Sequence, residues 1–204
     1  MLSAQAIVQL QDAQTSLWHQ ANSPSEPDLS AQNEKLWLEA VCRQHRANFE
    51  LWHIEDEARR PDATDAEMAE VKRRVDRTNQ RRNDLAEKLD LALLDFLTPR
   101  NLPDPAAELH SESPGLMIDR LSILSLKVYH TREETLRTDV DAAHLEKNQL
   151  RLAILLEQRG DLAGCLDRLW AQMLERKRRF KLYRQLKMYN DPTLNPAIYR
   201  QKGA

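Results

Sequence analysis

Glycine is scarce in this sequence, with four among 204 residues, and runs of β-branched residues are few. Leu, Ala, Glu, Arg and Gln, which favour helices, are abundant, and long stretches contain neither glycine nor proline. These features argue against a sheet-rich fold and predict an all-α protein. Since a hydrophobic fraction of 41% can fill one core, we expect a single all-α domain over residues 1–204, with an irregular tail from about 191 to 204.

Long apolar runs are absent as well. No stretch approaches the roughly 20 consecutive apolar residues that span a bilayer, so no transmembrane helix is expected. The first residues, Met1–Gln5, carry no basic region, which argues against a signal peptide. Cys42 and Cys165 lie far apart in helical patterns, which is typical of buried free thiols in a reducing compartment. We therefore predict a cytoplasmic protein.

A strong charge imbalance and the common local motifs of catalysis are also missing. The net charge of −2 gives the chain no bias toward nucleic acid or acidic membranes, so nucleic acid is an improbable partner. A basic run, Arg176–Lys187, could contact phosphates but is more simply the solvated end of a helix. No glycine-rich phosphate loop, CxxC pair or nucleophile elbow occurs.

Apolar residues spaced three and four apart predict a bundle of five to six long helices. The first covers about residues 3–20. Its buried face is predicted to hold Leu10, Ala13 and Leu17. The second begins after the N-cap Ser30 and ends near Arg60, because Pro61 cannot continue it. Its inward positions are predicted to be Leu38, Val41, His45, Phe49, Trp52 and Glu55.

The third helix begins with a capping box, in which Thr64 and Glu67 satisfy each other's backbone amides, and it runs to about Leu97. Its apolar stripe from Met68 to Phe96 approaches a heptad seam. Such a seam implies lengthwise packing against a partner helix, or the interface of a homodimer. A proline-rich linker over about residues 99–112 follows.

The fourth helix differs from the others because its apolar residues point in all directions around the axis. We therefore place it at the centre of the bundle. Ser113 is its predicted N-cap, with Pro114 at the first helical position. Gly115 in the first turn either permits close packing or leaves free amides for a phosphate.

Two further helices are predicted after the central one. Thr138 caps the fifth, and Gly160 ends it. Asp161 caps the sixth, which becomes strongly basic and ends at Asn190–Pro192.

Polar residues interrupt faces of helices two, three and four that should be apolar. A buried charge without a partner costs several kcal/mol, so these groups must meet each other, water or a ligand. The candidate ligand-binding set is Trp52, His53, Glu55, Asp56, Arg59, Asn79, Arg82, Asn83, Asp119, Arg120, Ser122, Lys127 and His130. Since the three helices are neighbours, we expect these side chains to form one polar centre.

Two interpretations of this centre remain open. The first is a structural network, in which Glu55 or Asp56 pairs with Arg82 or Arg120. The second is a pocket between helices two, three and four. There Arg82, Arg120 and Lys127 would hold an anionic ligand, and Glu55 or Asp119 would perform acid–base catalysis.

A metal site is a third interpretation of the same region. Glu50 and His53 have the spacing of half of a carboxylate-bridged di-metal site, because residues three apart share a helical face. Asp141 before His144 is the nearest substitute for the second half. One half-motif does not predict a metal, and we expect no cofactor.

Several stretches of this chain resemble an uncharacterised bacterial family called domain of unknown function 4254. They are Asn48–Arg59, Asn79–Asp84, Ser111–Leu124 with Lys127 and His130, and Lys187–Pro192. The similarity covers most of the chain after about residue 35. The resemblance implies no particular reaction, since the family has no established activity.

Members of that family tend to be encoded near glycosyltransferases and other cell-surface polysaccharide genes. The resemblance therefore implies a non-catalytic accessory or binding protein of envelope polysaccharide synthesis, with a glycosyltransferase as its expected partner. The alternative is a small helical enzyme that acts on an anionic metabolite, such as a sugar nucleotide or phosphosugar.

Overall fold

The computed structural model describes residues 3–20, 32–184 and 193–196. This part of the chain forms five helices and confirms the all-α prediction. They are α1 (Ala4–Gln20), α2 (Gln32–Glu57), α3 (Asp65–Leu97), α4 (Pro114–Thr135) and α5 (Ala142–Leu174). A 3-10 turn, Thr98–Arg100, follows α3. The predicted N-cap Ser30 and the predicted helix end at 190–192 lie outside the described residues.

The central position predicted for the fourth helix is confirmed, because α4 packs against each of the other four helices. Its buried side chains point in several directions around the axis, as the apolar pattern requires. They include Met117, Ile118, Leu121, Leu126 and Val128. The seam of α3 faces α2 and α4, with Val71, Leu89 and Leu93 buried, and its Thr64 capping box is present as predicted.

The N-terminus of α4 is closed by a carboxylate from α3. Asp90 accepts hydrogen bonds from the Gly115 backbone N–H, at 2.6 Å, and from the Ser113 hydroxyl. A Cβ atom on residue 115 would lie 2.3 Å from the carbonyl oxygen of Ala86. Gly115 therefore permits close packing. Its backbone N–H, which was one of the amides expected to be available to a phosphate, donates to Asp90 instead. Burial raises the pKa of Asp90 to about 6.

The prediction of two helices after α4 was wrong. One continuous helix, α5, runs through Gly160, and its N-cap is Asp141, which accepts from the His144 backbone N–H. A glycine inside a helix costs only about 1 kcal/mol relative to alanine. Burial of flanking residues such as Leu155 and Leu162 offsets that cost.

The basic run after α5 is not helical where it is described. α5 ends at Leu174, and Arg176 has a left-handed backbone with φ of 61°. The chain then forms a short parallel pairing between β1 (Glu108–Leu109) and β2 (Arg178–Arg179), with Glu108 opposite Arg178. The two cysteines also differ from each other: neither forms a disulfide, but Cys42 is buried and Cys165 is exposed, contrary to the prediction for Cys165.

The predicted buried face of α1 was wrong for Ala13 and Leu17, which are both exposed, Leu17 to 39%. The face that packs inward instead holds Ala4, Ile7, Gln11, Gln14, Thr15 and Trp18. Gln11 and Thr15 satisfy their polar atoms inside the core, so a count of apolar residues alone selects the wrong side of the helix.

None of the described helices has both the length and the apolar character that a membrane crossing requires.

Candidate functional site

A buried polar network occupies the centre of the bundle, where α2, α3 and α4 meet. Asp119 of α4 is only 7% exposed. One of its carboxylate oxygens accepts from Asn48 Nδ2 at 2.9 Å and from Gln44 Nε2 at 2.5 Å. Arg82 Nε of α3 lies 3.6 Å from the same oxygen. Burial raises the pKa of Asp119, and the three neighbours partly oppose that rise.

A fully buried histidine extends this network toward α1. Thr15 donates its hydroxyl proton to the Gln11 carbonyl at 2.9 Å, so its oxygen accepts from His45 Nε2, also at 2.9 Å. Burial lowers the pKa of His45 to about 3, so the imidazole is neutral. Its Nδ1 atom therefore accepts from the Ser122 hydroxyl at 2.7 Å, and Ser122 accepts from Asn48 Nδ2 at 2.9 Å, which defines the tautomer of His45.

A second polar chain joins α1 to α4 and α5. Ser125 donates to Gln11 Oε1 at 3.1 Å, and Arg159 donates to Asp12 at 2.6 Å and to Ser125 at 3.3 Å. The sequence analysis did not identify the contribution of α1 to this centre. The spacing of Gln11, Thr15 and Trp18 by four and three residues could have indicated a buried face that contains polar side chains.

A pocket of about 300 Å³ lies beside the network, between α2, α3 and α4. It is lined by Asn48, Leu51, Trp52, Glu55, Asp56, Arg59, Arg82, Ile123 and Leu126. Five of these residues belong to the predicted candidate set: Trp52, Glu55, Asp56, Arg59 and Arg82. The pocket has an apolar wall and carries charges of both signs, so it can accommodate a ligand that has an anionic group and polar neutral groups.

Arg82 is the cation that lies deepest in this pocket, with 24% of its side chain exposed. Within the described part of the chain, its buried Nε atom has no hydrogen-bond partner, and Asp119 at 3.6 Å is beyond hydrogen-bond distance. Arg59 lies at the rim and donates to the Glu55 backbone carbonyl at 2.5 Å. Its guanidinium is also 3.8 Å from the Glu55 carboxylate and 3.9 Å from Asp56.

The other two cations of the predicted clamp are elsewhere. Arg120 is exposed and donates to Glu112 at 2.7 Å. Lys127 is exposed and borders a separate groove of about 700 Å³ between α4 and α5. Residues 120 and 127 are seven apart and share an outward side of α4, whereas Asp119 and Ser122 face inward. A clamp made of Arg82, Arg120 and Lys127 is therefore not formed.

Other residues of the candidate set also have different neighbours from those predicted. Among the described residues, Glu55 and Asp56 form ion pairs with Arg59 and none with Arg82 or Arg120. Asn83 is buried and Asn79 is half-buried in α3, and neither belongs to the pocket wall.

The proposed di-metal half-site is divided between two clusters of side chains. The Glu50 carboxylate pairs with Arg46 at 3.0 Å and with Arg81. His53 lies beside His130 and His19 instead, and the His130 ring stacks on the Trp52 ring, with centroids 4.8 Å apart. His53 and His130 are thus brought together as the candidate set predicted, next to the pocket.

A family model described as a protein of unknown function, DUF4254, matches residues 38–182. This chain belongs to that family. The match contains Asp119, Arg82 and all of the pocket wall, whereas α1, which supplies Gln11 and Thr15, precedes it. Searches of the curated proteins and of the solved structures returned no significant match.

Proposed function

We propose that this protein is a non-catalytic accessory protein of cell-envelope polysaccharide synthesis, active in the cytoplasm, that binds a small phosphorylated sugar in the pocket between α2, α3 and α4. The proposal depends on the burial and the incomplete hydrogen bonding of Arg82. Its guanidinium is largely buried beside a pocket, and in the described structure no carboxylate accepts a hydrogen bond from its Nε atom.

The anionic part of the ligand is assigned to Arg82. A guanidinium presents several donors in one plane, which suits the oxygens of a phosphate. Removal of water from a charged group is costly unless a partner of opposite charge replaces it. Asp119 supplies only part of that compensation at 3.6 Å, so a phosphate in the pocket would complete it.

The sugar part of the ligand is assigned to the remaining walls. Trp52, with Leu51, Ile123 and Leu126, offers an apolar surface, against which the carbon face of a sugar ring can pack. The carboxylates of Glu55 and Asp56 at the rim can accept hydrogen bonds from sugar hydroxyls. A volume of about 300 Å³ is at the lower end for ligand pockets and favours a monosaccharide phosphate over a sugar nucleotide.

A binding role fits the position of Asp119 better than a catalytic one. A general base must come within hydrogen-bond distance of the substrate proton. Asp119 is nearly inaccessible, and it accepts from Asn48 and Gln44. Its place in the network supports a role in positioning Arg82. The family resemblance supports a glycosyltransferase as the protein partner.

An enzyme remains the second candidate because of one observation. Burial raises the pKa of Asp119, which lies next to the pocket residue Arg82, and catalytic carboxylates commonly have a raised pKa. Turnover of a bound phosphosugar, with loss of activity in Asp119→Asn but no loss of binding, would favour the enzyme.

A thermal-unfolding screen tests the binding proposal. Hexose phosphates should raise the midpoint temperature in proportion to the logarithm of their concentration, and the unphosphorylated hexoses should not. The rise should disappear in Arg82→Gln. It should persist in the matched control Arg81→Gln, whose exposed side chain pairs with Glu50 outside the pocket. No rise with any phosphosugar, or an equal rise in both variants, would overturn the proposal.

The accessory role needs a separate measurement. Affinity purification of the protein from its own cells, followed by mass spectrometry, should enrich a glycosyltransferase. The Arg82→Gln variant should retain that partner if the partner binds outside the pocket.

A further inference from the structure

Three histidines from three different helices meet at one end of the polar centre. They are His19 of α1, His53 of α2 and His130 of α4. One ring nitrogen of each lies within 4.8 Å of those of the other two. The ring centroids form a triangle, with sides of 5.0 Å, 5.2 Å and 5.9 Å.

These separations match those of imidazoles around a tetrahedral metal ion. Zinc binds imidazole nitrogen at about 2.0–2.1 Å, so tetrahedral angles place neighbouring ring centroids about 5 Å apart. The rings are therefore already at the right distance from one another. The same geometry requires nitrogens about 3.3 Å apart, so small ring rotations suffice to bring the three nitrogens onto one ion.

Two of the rings are oriented as metal-binding histidines are. His19 Nδ1 donates to the Thr15 carbonyl at 2.8 Å, and His130 Nδ1 faces the Glu133 carboxylate at 2.9 Å. A carbonyl or a carboxylate can only accept, so in each neutral ring the lone pair is on Nε2. Both Nε2 atoms are buried, and neither has a hydrogen-bond partner among the described residues. Histidines that bind zinc commonly show this pattern, with the second nitrogen held by a carbonyl or carboxylate.

The third ring, that of His53, lies on the solvent side, with 40% of its side chain exposed. Burial and the two neighbouring histidines lower its pKa. Asp56 lies 3.9 Å from His53 Nδ1, on the exposed side. Arg46 is a positively charged residue in the same region, opposite in sign to Asp56, and its guanidinium lies over the Trp18 and Phe49 rings.

We infer that His19, His53 and His130 bind one divalent transition-metal ion, with zinc as the expected metal. Three imidazole ligands favour zinc and its transition-metal neighbours over magnesium or calcium, which prefer oxygen ligands. Access from the His53 side leaves a fourth coordination position for water, as in three-histidine zinc sites that activate it. This inference is independent of the phosphosugar proposal, because it depends on other side chains.

Zinc binding to the full chain, purified without a polyhistidine tag and stripped with a chelator, tests the inference. Calorimetric titration with zinc chloride should give one ion per chain, and His53→Gln should weaken binding by at least about tenfold. The matched control is His110→Gln. His110 bonds to the Glu112 carbonyl outside the cluster, so its variant should bind zinc unchanged. Circular dichroism should show the same helix content in both variants.

A measurement on the unaltered chain removes the dependence on variants. Long-range ¹H–¹⁵N NMR spectra should show protonated Nδ1 in His19 and His130 before zinc is added. Zinc should then shift the Nε2 signals of both rings. The absence of stoichiometric binding, or zinc-induced shifts confined to other histidines, would overturn the inference. Equal affinity in His53→Gln and the unaltered chain would do so too. None of these results would affect the Arg82 experiment.

Discussion

Replacement of His45 by glutamine removes an ionisable group from the core. The glutamine side chain can still form the two hydrogen bonds that the imidazole forms. The glutamine amide can donate to Thr15, and its carbonyl can accept from Ser122, as the two ring nitrogens do. The variant loses the stacked contact between His45 and Trp18, whose ring centroids are 5.3 Å apart. That loss does not depend on pH, so the pH dependence isolates the ionisation of His45.

The size of the effect follows from the pKa. Burial lowers the pKa of His45 from 6.5 to about 3, so below pH 6.5 the unfolded chain binds a proton that the folded chain rejects. The stability that comes from keeping His45 neutral in the core is fully present above pH 6.5, and it is lost as the pH falls toward 3. Each unit of pH in that range costs about 1.4 kcal/mol, so the loss between pH 7.5 and pH 5 is about 2 kcal/mol.

Urea unfolding followed by circular dichroism at pH 7.5, 6.5, 5.5 and 5.0 measures this loss in both proteins. The free energy of unfolding of the unaltered protein should fall by about 2 kcal/mol more than that of His45→Gln over this range. A difference between the two proteins that stays constant with pH would refute the assignment of His45 as a neutral, buried group.

Two further stability predictions concern the start of α4 and the middle of α5. Burial raises the pKa of Asp90 from 3.8 to about 6, so the folded protein keeps the carboxyl proton at pH values where the unfolded chain has released it. The folded protein therefore loses stability as the pH rises through this range. Relative to the unaltered protein, Asp90→Asn should therefore gain about 2 kcal/mol of unfolding free energy between pH 4 and pH 7, in urea titrations. Gly115→Ala should lower the midpoint of thermal unfolding and cost about 2 kcal/mol or more, because its Cβ atom would lie 2.3 Å from the Ala86 carbonyl oxygen. Gly160→Ala is its matched control: apart from the backbone of α5 itself, no described atom lies within 4 Å of the added Cβ, and the helix should gain up to about 1 kcal/mol. Equal effects of the two alanine substitutions would contradict the packing at Gly115.

The parts of the fold that depend on neighbours in sequence could be predicted. The caps at Thr64 and Ser113 act through residues three positions away, and both are present. The all-round apolar pattern of α4 identified the central helix for the same reason. The predicted break at Gly160 failed because the small local cost of a glycine is offset by distant packing, which the sequence pattern does not contain.

The site was predictable only in part. Polar residues on apolar faces indicated a pocket between three helices, and Trp52, Glu55 and Arg82 do line one. The histidine cluster could not be found in this way. His19, His53 and His130 are on different helices, with no local spacing that relates them, and they meet only after the helices have packed.

The contribution of α1 to the core has a consequence for the stability of a shortened chain. A shorter chain that started at residue 38, where the family match begins, would lack Thr15 and Gln11. His45 Nε2 and the Ser125 hydroxyl would then lose the partners that α1 provides inside the core. We therefore expect the shorter chain to be less stable than one that includes α1, which begins at Ala4.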